Sequence, residues 1–189
     1  MSKEITEDKE LELAIQGDSD AFSALYERYV VRIYNYIYYR TGNSFDAEDL
    51  TARVFFRAMS HIHSYKNMGV PFSAWLYRIA HNLVANWHRD NSRRKEVPLE
   101  DHIKIHQGAE LPEVTLVQNQ ETDMLLNVIG DLPADRQQLL ILKFVERFSN
   151  AEIAMIMGRS EGAIKSLYHR TLLSLRSRIK KFDSIFTDK

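Results

Sequence analysis

Residues 149–175, SNAEIAMIMGRSEGAIKSLYHRTLLSL, carry the pattern of two short helices joined by a tight turn. Ser149 followed by Glu152 fits a capping box, in which the serine oxygen takes an orphan backbone N–H and the glutamate reaches back to the cap. Ala151, Ile153, Ala154, Ile156 and Met157 supply a buried side. Gly158 suits the left-handed position after a helix end, and Ser160 can cap the next helix. In that helix Ile164, Leu167, Tyr168, Thr171, Leu172 and Leu175 recur at three- and four-residue steps, which assigns them to a core stripe. Lys165, Ser166, His169 and Arg170 are left facing outward. A second helix presented in this way can lie in a DNA major groove, where cationic side chains read guanine edges and small polar ones reach bases or phosphates. The same pattern also suits a helical hairpin with a solvated charged face, and tertiary context decides between the two.

Working outward, the charge is strongly segregated although the net formal charge is only -1. Residues 51–95 hold eight Lys and Arg against one acid, and residues 136–189 hold eleven against five. Residues 1–50 hold five against eleven, and 96–135 one against nine. Two basic segments separated by an acidic one point to nucleic-acid contact at two surfaces. A chain of 189 residues can bury two small cores.

Several function classes are disfavoured. The absence of cysteine removes disulfides, thiolate metal sites and thiol nucleophiles, and fits a reducing cytoplasm. The longest run without Asp, Glu, Lys or Arg is Asn67–Tyr77, eleven residues, too short for a membrane span, and the start MSKEITEDKE lacks the basic and apolar blocks of a signal peptide. The expected location is therefore the cytoplasm, with no membrane insertion. His61/His63 and His102/His106 have short spacings but no convincing partner set and no HExxH, so no metal or other cofactor is expected. Without a phosphate-binding glycine loop or nucleophile elbow, no catalysis and no small-molecule substrate are expected.

The amino-terminal half reads as helices. Phe22, Leu25, Tyr26, Tyr29, Val30, Ile33, Tyr34, Ile37 and Tyr38 predict a helix over about 19–40 with an aromatic core stripe, ended by Gly42 and Asn43. A second begins near 44–46, with Ala47, Leu50, Val54, Phe55, Ala58, Met59 and Ile62 inward and Asp46, Glu48 and Asp49 complementing the helix dipole near its start. Residues 64–71 form a loop. Phe72, Trp75, Leu76, Ile79, Ala80, Leu83, Val84 and Trp87 mark a third helix, whose outer positions carry Arg78, His81, Asn82, Asn86, His88 and Arg89 and lead into Arg93, Arg94 and Lys95. Tyr65, an aromatic beside a basic helix, is the kind of residue that holds an unstacked base.

In combination, DAEDLTARVFFRA (46–58), PFSAWLYRIAHNLVANWHRDNSRR (71–94) and LPADRQQLLILKFVERFSNAEIAMIMGRSEGAIKSLYHRTLLSLR (132–176) resemble a bacterial RNA polymerase sigma factor of the sigma-70 family, extracytoplasmic-function type. The resemblance covers residues from about 10 to 180. It implies an all-α chain of two small helical domains: residues 1–95, the region 2 bundle that binds core polymerase and the −10 element, and residues 119–189, the region 4 helix-turn-helix that binds the −35 element. Residues 96–118 would be an acidic flexible linker.

The resemblance further implies that Asp46, Glu48, Asp49, Leu50 and Arg53 dock on the polymerase clamp helices. Tyr65 and Asn82 would lodge a flipped −10 base, with Arg78, Asn86, Arg89, Arg93 and Arg94 on the DNA beside it. Lys165, Ser166, His169 and Arg170 would read the −35 element. Expected partners are core RNA polymerase through its clamp helices and flap, promoter DNA, and an anti-sigma factor. Two departures stand out. Ala52 and Arg53 replace a usual Gln followed by Glu or Asp, which is expected to weaken or rearrange core binding. Leu167 stands where arginine is common, which is expected to alter the base preference. Two other readings of the residues remain: a helix-turn-helix regulator with an amino-terminal sensing domain, and a sigma mimic that binds polymerase without initiating.

Overall fold

A computed structural model describes residues 6–66, 69–94 and 132–187, with backbone alone for 92–94 and 178–187. Among these residues all regular structure is helical, in two compact units. The expected linker, residues 96–118, lies outside the described residues.

In the amino-terminal unit, α1 (Glu7–Ile15) has Glu7, Asp8 and Glu10 in its first turn, where carboxylates complement the helix dipole. Gly17, at φ 95°, turns the chain. Asp18 then caps α2 (Ser19–Thr41), its Oδ1 accepting the N–H groups of Asp20 at 2.9 Å and Ala21 at 3.0 Å. Gly42 ends α2 in the left-handed conformation, φ 65°, and its N–H bonds to the Tyr38 carbonyl at 2.9 Å. Asn43 caps α3 (Ser44–His61) by accepting from Asp46 N–H at 3.1 Å. A 3-10 turn, Ile62–Ser64, follows, and then α4 (Phe72–Arg94).

α2, α3 and α4 pack against one another, and α1 lies on α2 and on the 3-10 turn. Their core joins Leu25, Ile33 and Ile37 to Leu50 and Val54 and to Leu76, Ala80 and Val84. The helix boundaries agree with the sequence reading, but the buried faces differ in places. Tyr36 and Tyr77 are fully buried with ring centroids 5.1 Å apart, whereas the predicted stripe placed Tyr26, Tyr34 and Tyr38 inward and passed over both. A helix with neighbours on two sides buries an arc wider than a single stripe. Met59, assigned to the core, is 53% exposed.

In the carboxy-terminal unit, α5 (Ala134–Leu140) follows Pro133 and runs into a π-helical turn, Ile141–Val145. Arg147 takes a left-handed φ of 59°, and the Phe148 N–H bonds back to the Leu142 carbonyl at 3.0 Å. The capping box is formed in both directions: Glu152 N–H reaches Ser149 Oγ at 3.3 Å, and Ser149 N–H reaches the Glu152 carboxylate. It starts α6 (Asn150–Met157), which ends at Gly158, φ 64°. Ser160 Oγ accepts from Ala163 N–H at 3.2 Å and caps α7 (Glu161–Thr187). Of the inward residues assigned to α6, Ala151 is exposed and Ile153, Ala154, Ile156 and Met157 are buried. Ile164, Leu167 and Thr171 are buried as expected on α7, while Leu172 is 40% exposed.

Candidate nucleic-acid interfaces

The end of α3, the loop after it and one side of α4 enclose an open cavity of about 490 Å3. α3 contributes Arg57 and His61, one turn apart; the loop contributes Ser64, Tyr65 and Lys66; α4 contributes Trp75, Ile79 and Asn82. The sequence-selected pair Tyr65 and Asn82 is thus brought to one cavity. The Tyr65 backbone leaves the 3-10 turn with its N–H on the Ile62 carbonyl at 2.9 Å. Its ring stands edge-on to Phe72 and Trp75, with centroids 5.5 and 5.3 Å away. Burial, and secondarily the Glu7 carboxylate, push the Tyr65 phenol up, so it remains a neutral hydrogen-bonding group. The His61 Nδ1 lies 2.9 Å from the Arg57 carbonyl, which can only accept, so the proton sits on Nδ1 and Nε2 is left for other partners.

Arg57, His61, Lys66, Trp75 and Ile79 were not singled out from the sequence as site residues. The signal was there for α4: Trp75, Ile79, Asn82, Asn86, Arg89 and Arg93 follow one another at alternating four- and three-residue steps, which places them on one stripe. Asn82, Asn86 and Arg89 are exposed, and the Arg89 guanidinium donates to Asn86 Oδ1 at 3.0 Å. Arg78 is exposed at the edge of this stripe. Arg93 and Arg94 lie in the last turn of α4, and their side chains fall outside the described residues. Chemically the cavity offers rings for stacking, an amide for a base edge and cations for phosphate.

On α7, Lys165, Ser166, His169 and Arg170 are all exposed and occupy the first two and a half turns. The Lys165 ammonium is 2.8 Å from Glu161, and the Arg170 Nε donates to the Ser166 carbonyl at 3.3 Å. Leu167, at 3% exposed, belongs to the core beside Ile164, as its place in the core stripe predicts, and does not stand on the exposed face with those four residues. Farther along the same face come Leu173, 52% exposed, and Arg176. In the turn before α7, Arg159 pairs with Asp135 at 3.3 Å and ties the turn to α5.

The third group lies on α3. Asp46 is partly exposed, Glu48 and Asp49 are exposed, and Arg53 pairs with Asp49 at 3.5 Å. Leu50, by contrast, is 1% exposed and points into the bundle, where it cannot meet a partner. The apolar residues that do face outward were missed: Phe45 at 81%, Phe56 at 67% and Met59. With Asp49 and Ala52 they form a single stripe at three- and four-residue steps.

The amino-terminal site falls within residues 25–94, which match the family model for Sigma-70 region 2, and the helix-turn-helix falls within residues 122–175, which match that for Sigma-70, region 4. The chain is 37% identical over 165 residues to the ECF RNA polymerase sigma factor BldN of Streptomyces coelicolor, covering 87% of this chain and 62% of that protein. It is 29% identical over 182 residues to the ECF RNA polymerase sigma factor SigW of Bacillus subtilis, covering 91% of this chain and 96% of that one. The fold is similar to that of the sigma factor RpoE of Bartonella quintana, solved in complex with the anti-sigma factor NepR, with a TM-score of 0.65 at 23% identity over 84% of this chain and 96% of that one. Two region models in the family's order, each on a helical unit with a cationic exposed face, place the chain in the sigma-70 family of RNA polymerase sigma factors, within its extracytoplasmic-function type.

Proposed function

We propose that the chain binds core RNA polymerase and directs promoter-specific initiation, with residues 1–95 engaging the −10 element and residues 119–189 the −35 element. The observation that carries the reading is the cavity that gathers Tyr65, Trp75, Asn82, the cations Arg57 and Lys66, and His61. Its volume is within the range of about 300 to 1,000 Å3 usual for small-ligand sites. A base drawn from the duplex can lie against a ring, meet the Asn82 amide at its edge, and leave its phosphates beside Arg57 and Lys66. Unstacking costs a few kcal/mol, and a ring stack of about 1 to 3 kcal/mol with a base-edge hydrogen bond largely offsets it. Arg78, Asn86, Arg89, Arg93 and Arg94 extend the DNA track along α4.

Lys165, Ser166, His169 and Arg170 enter the −35 major groove from α7. Polymerase docks on the α3 stripe, where Phe45, Phe56 and Met59 form an apolar centre and Asp46, Glu48, Asp49 and Arg53 a charged rim, the usual anatomy of an interface. With Leu50 buried and Arg53 held by Asp49, binding there relies on the apolar stripe more than on charge. Such a protein works in the cytoplasm, among the described residues no helix is long and apolar enough to cross a membrane, and its activity is held in check by an anti-sigma factor.

Open-complex formation tests the assignment. With core polymerase and a responsive promoter, Tyr65→Ala combined with Asn82→Ala is expected to abolish −10 melting while leaving polymerase binding intact. Unchanged melting by the double variant would refute the pocket assignment.

A further inference from the structure

The ring cluster of the pocket continues inward past Tyr65. Phe72, edge-on to Tyr65 at 5.5 Å, also meets Tyr29 of α2 at 6.1 Å. Tyr29 is buried and donates its hydroxyl hydrogen to the Glu7 carboxylate of α1 at 2.5 Å. Desolvation, reinforced by that hydrogen bond, pushes the Tyr29 phenol far up, so it remains a donor. α1 itself has little apolar anchorage: Leu11 and Ala14 are its buried apolar residues. Its other ties are acidic, Glu7 to Tyr29 and Glu10 to Arg28 at 2.8 Å. Yet α1 touches the 3-10 turn from which Tyr65 emerges.

We propose that α1 is a positioning element for the nucleotide pocket: Glu7 fixes Tyr29, Tyr29 fixes Phe72, and Phe72 fixes the Tyr65 ring against which the unstacked base rests. The inference rests on the pocket reading of Tyr65. A stacking platform contributes its full energy only when already oriented, because any freedom it retains must be given up on binding. Tyr65 follows a turn of three residues and is held by one backbone hydrogen bond at its own N–H, so its orientation depends on the rings behind it. Glu7, Tyr29 and Phe72 line no part of the cavity and act through Tyr65.

The test uses the full chain with core polymerase on a promoter fragment selected by transcription, with open complex read by permanganate reactivity of unpaired thymines. A parallel template carries an abasic residue at the position where Tyr65→Ala loses its effect. Glu7→Ala is expected to lower open complex roughly five-fold, the size of one net hydrogen bond. Glu7→Gln, whose amide oxygen still accepts the Tyr29 hydroxyl, should recover most of it. Tyr65→Ala with Glu7→Ala should be no worse than Tyr65→Ala alone, and the abasic template should erase the dependence on Glu7. A defective Tyr65→Ala beside a fully active Glu7→Ala overturns the inference. So does a Glu7→Ala loss that adds to that of Tyr65→Ala or persists on the abasic template, since it would report general destabilisation. If Tyr65→Ala has no effect, the pocket reading falls first and this inference with it.

Discussion

Lys165 and Tyr29 show how differently two residues can be tested in one chain. Lys165 is exposed on the second helix of the helix-turn-helix with a single acidic neighbour, Glu161, so its contribution to DNA depends on where it lands. If it meets a base edge, Lys165→Ala costs about 1 to 3 kcal/mol on the cognate −35 element and little on a scrambled one; a phosphate contact would weaken both alike. We expect the first outcome, read by holoenzyme titration on the two templates. Tyr29 titrates against the fold. Its phenol ionises less readily folded than unfolded, so its stabilisation is fully present below the ordinary phenol value of 10.0 and is lost as pH rises through the raised folded value. Tyr29→Phe should therefore flatten the alkaline decline of stability in chemical denaturation above pH 10, and a decline of the same steepness in the variant would show that other groups govern it. Tyr65 and Asn82 were legible from residue type and family pattern, whereas Arg57 and His61 were not, because a cation on an amphipathic helix looks alike whether it faces solvent or a cavity. Leu50 shows the converse: matching a family motif says nothing about which way a side chain points, and Leu50 points into the core.

At the scale of elements, the local signals were read well where the chain closes its own hydrogen bonds. The Ser149–Glu152 box, Gly42, Gly158 and Ser160 all sit where their chemistry requires, because caps and left-handed residues answer to neighbours within four positions. Ser149→Ala should cost about 1 kcal/mol in the carboxy-terminal unit, and lower −35 binding in proportion, measured by denaturation and by titration on a −35 duplex. Loss of DNA binding without loss of stability would assign Ser149 a direct contact instead. α1 went unread because nine residues are too short a window for periodicity to decide, and it is tied down by Tyr29 and Arg28, distant in sequence. The π-helical turn at Ile141–Val145 was equally hidden, since one extra residue per turn shifts the hydrophobic phase without leaving a mark of its own. The aromatic stripe of α2 was misphased at Tyr36 for a related reason: partners on two sides, α3 and α4, decide its buried arc.

For the whole molecule, the alternation of acidic and basic blocks led to the expectation of two DNA-facing segments; Arg57, Lys66, Arg78 and Arg89 are exposed in the first basic block and Lys165, Arg170 and Arg176 in the second, while Lys9, Arg28 and Arg32 are exposed in the acidic block before them. What composition could not give was the apolar stripe of Phe45, Phe56 and Met59, since exposed hydrophobic residues on an amphipathic helix read as core until the partners of that helix are known. The central claim is that this chain, with core polymerase, selects promoters and opens them. Run-off transcription tests it most directly, using purified core enzyme from the source or a close relative on a pool of genomic promoter fragments. The account predicts discrete transcripts that appear only when this protein is added and share −10 and −35 elements. Promoter binding without polymerase and no transcripts with it, or polymerase binding with neither, would contradict it.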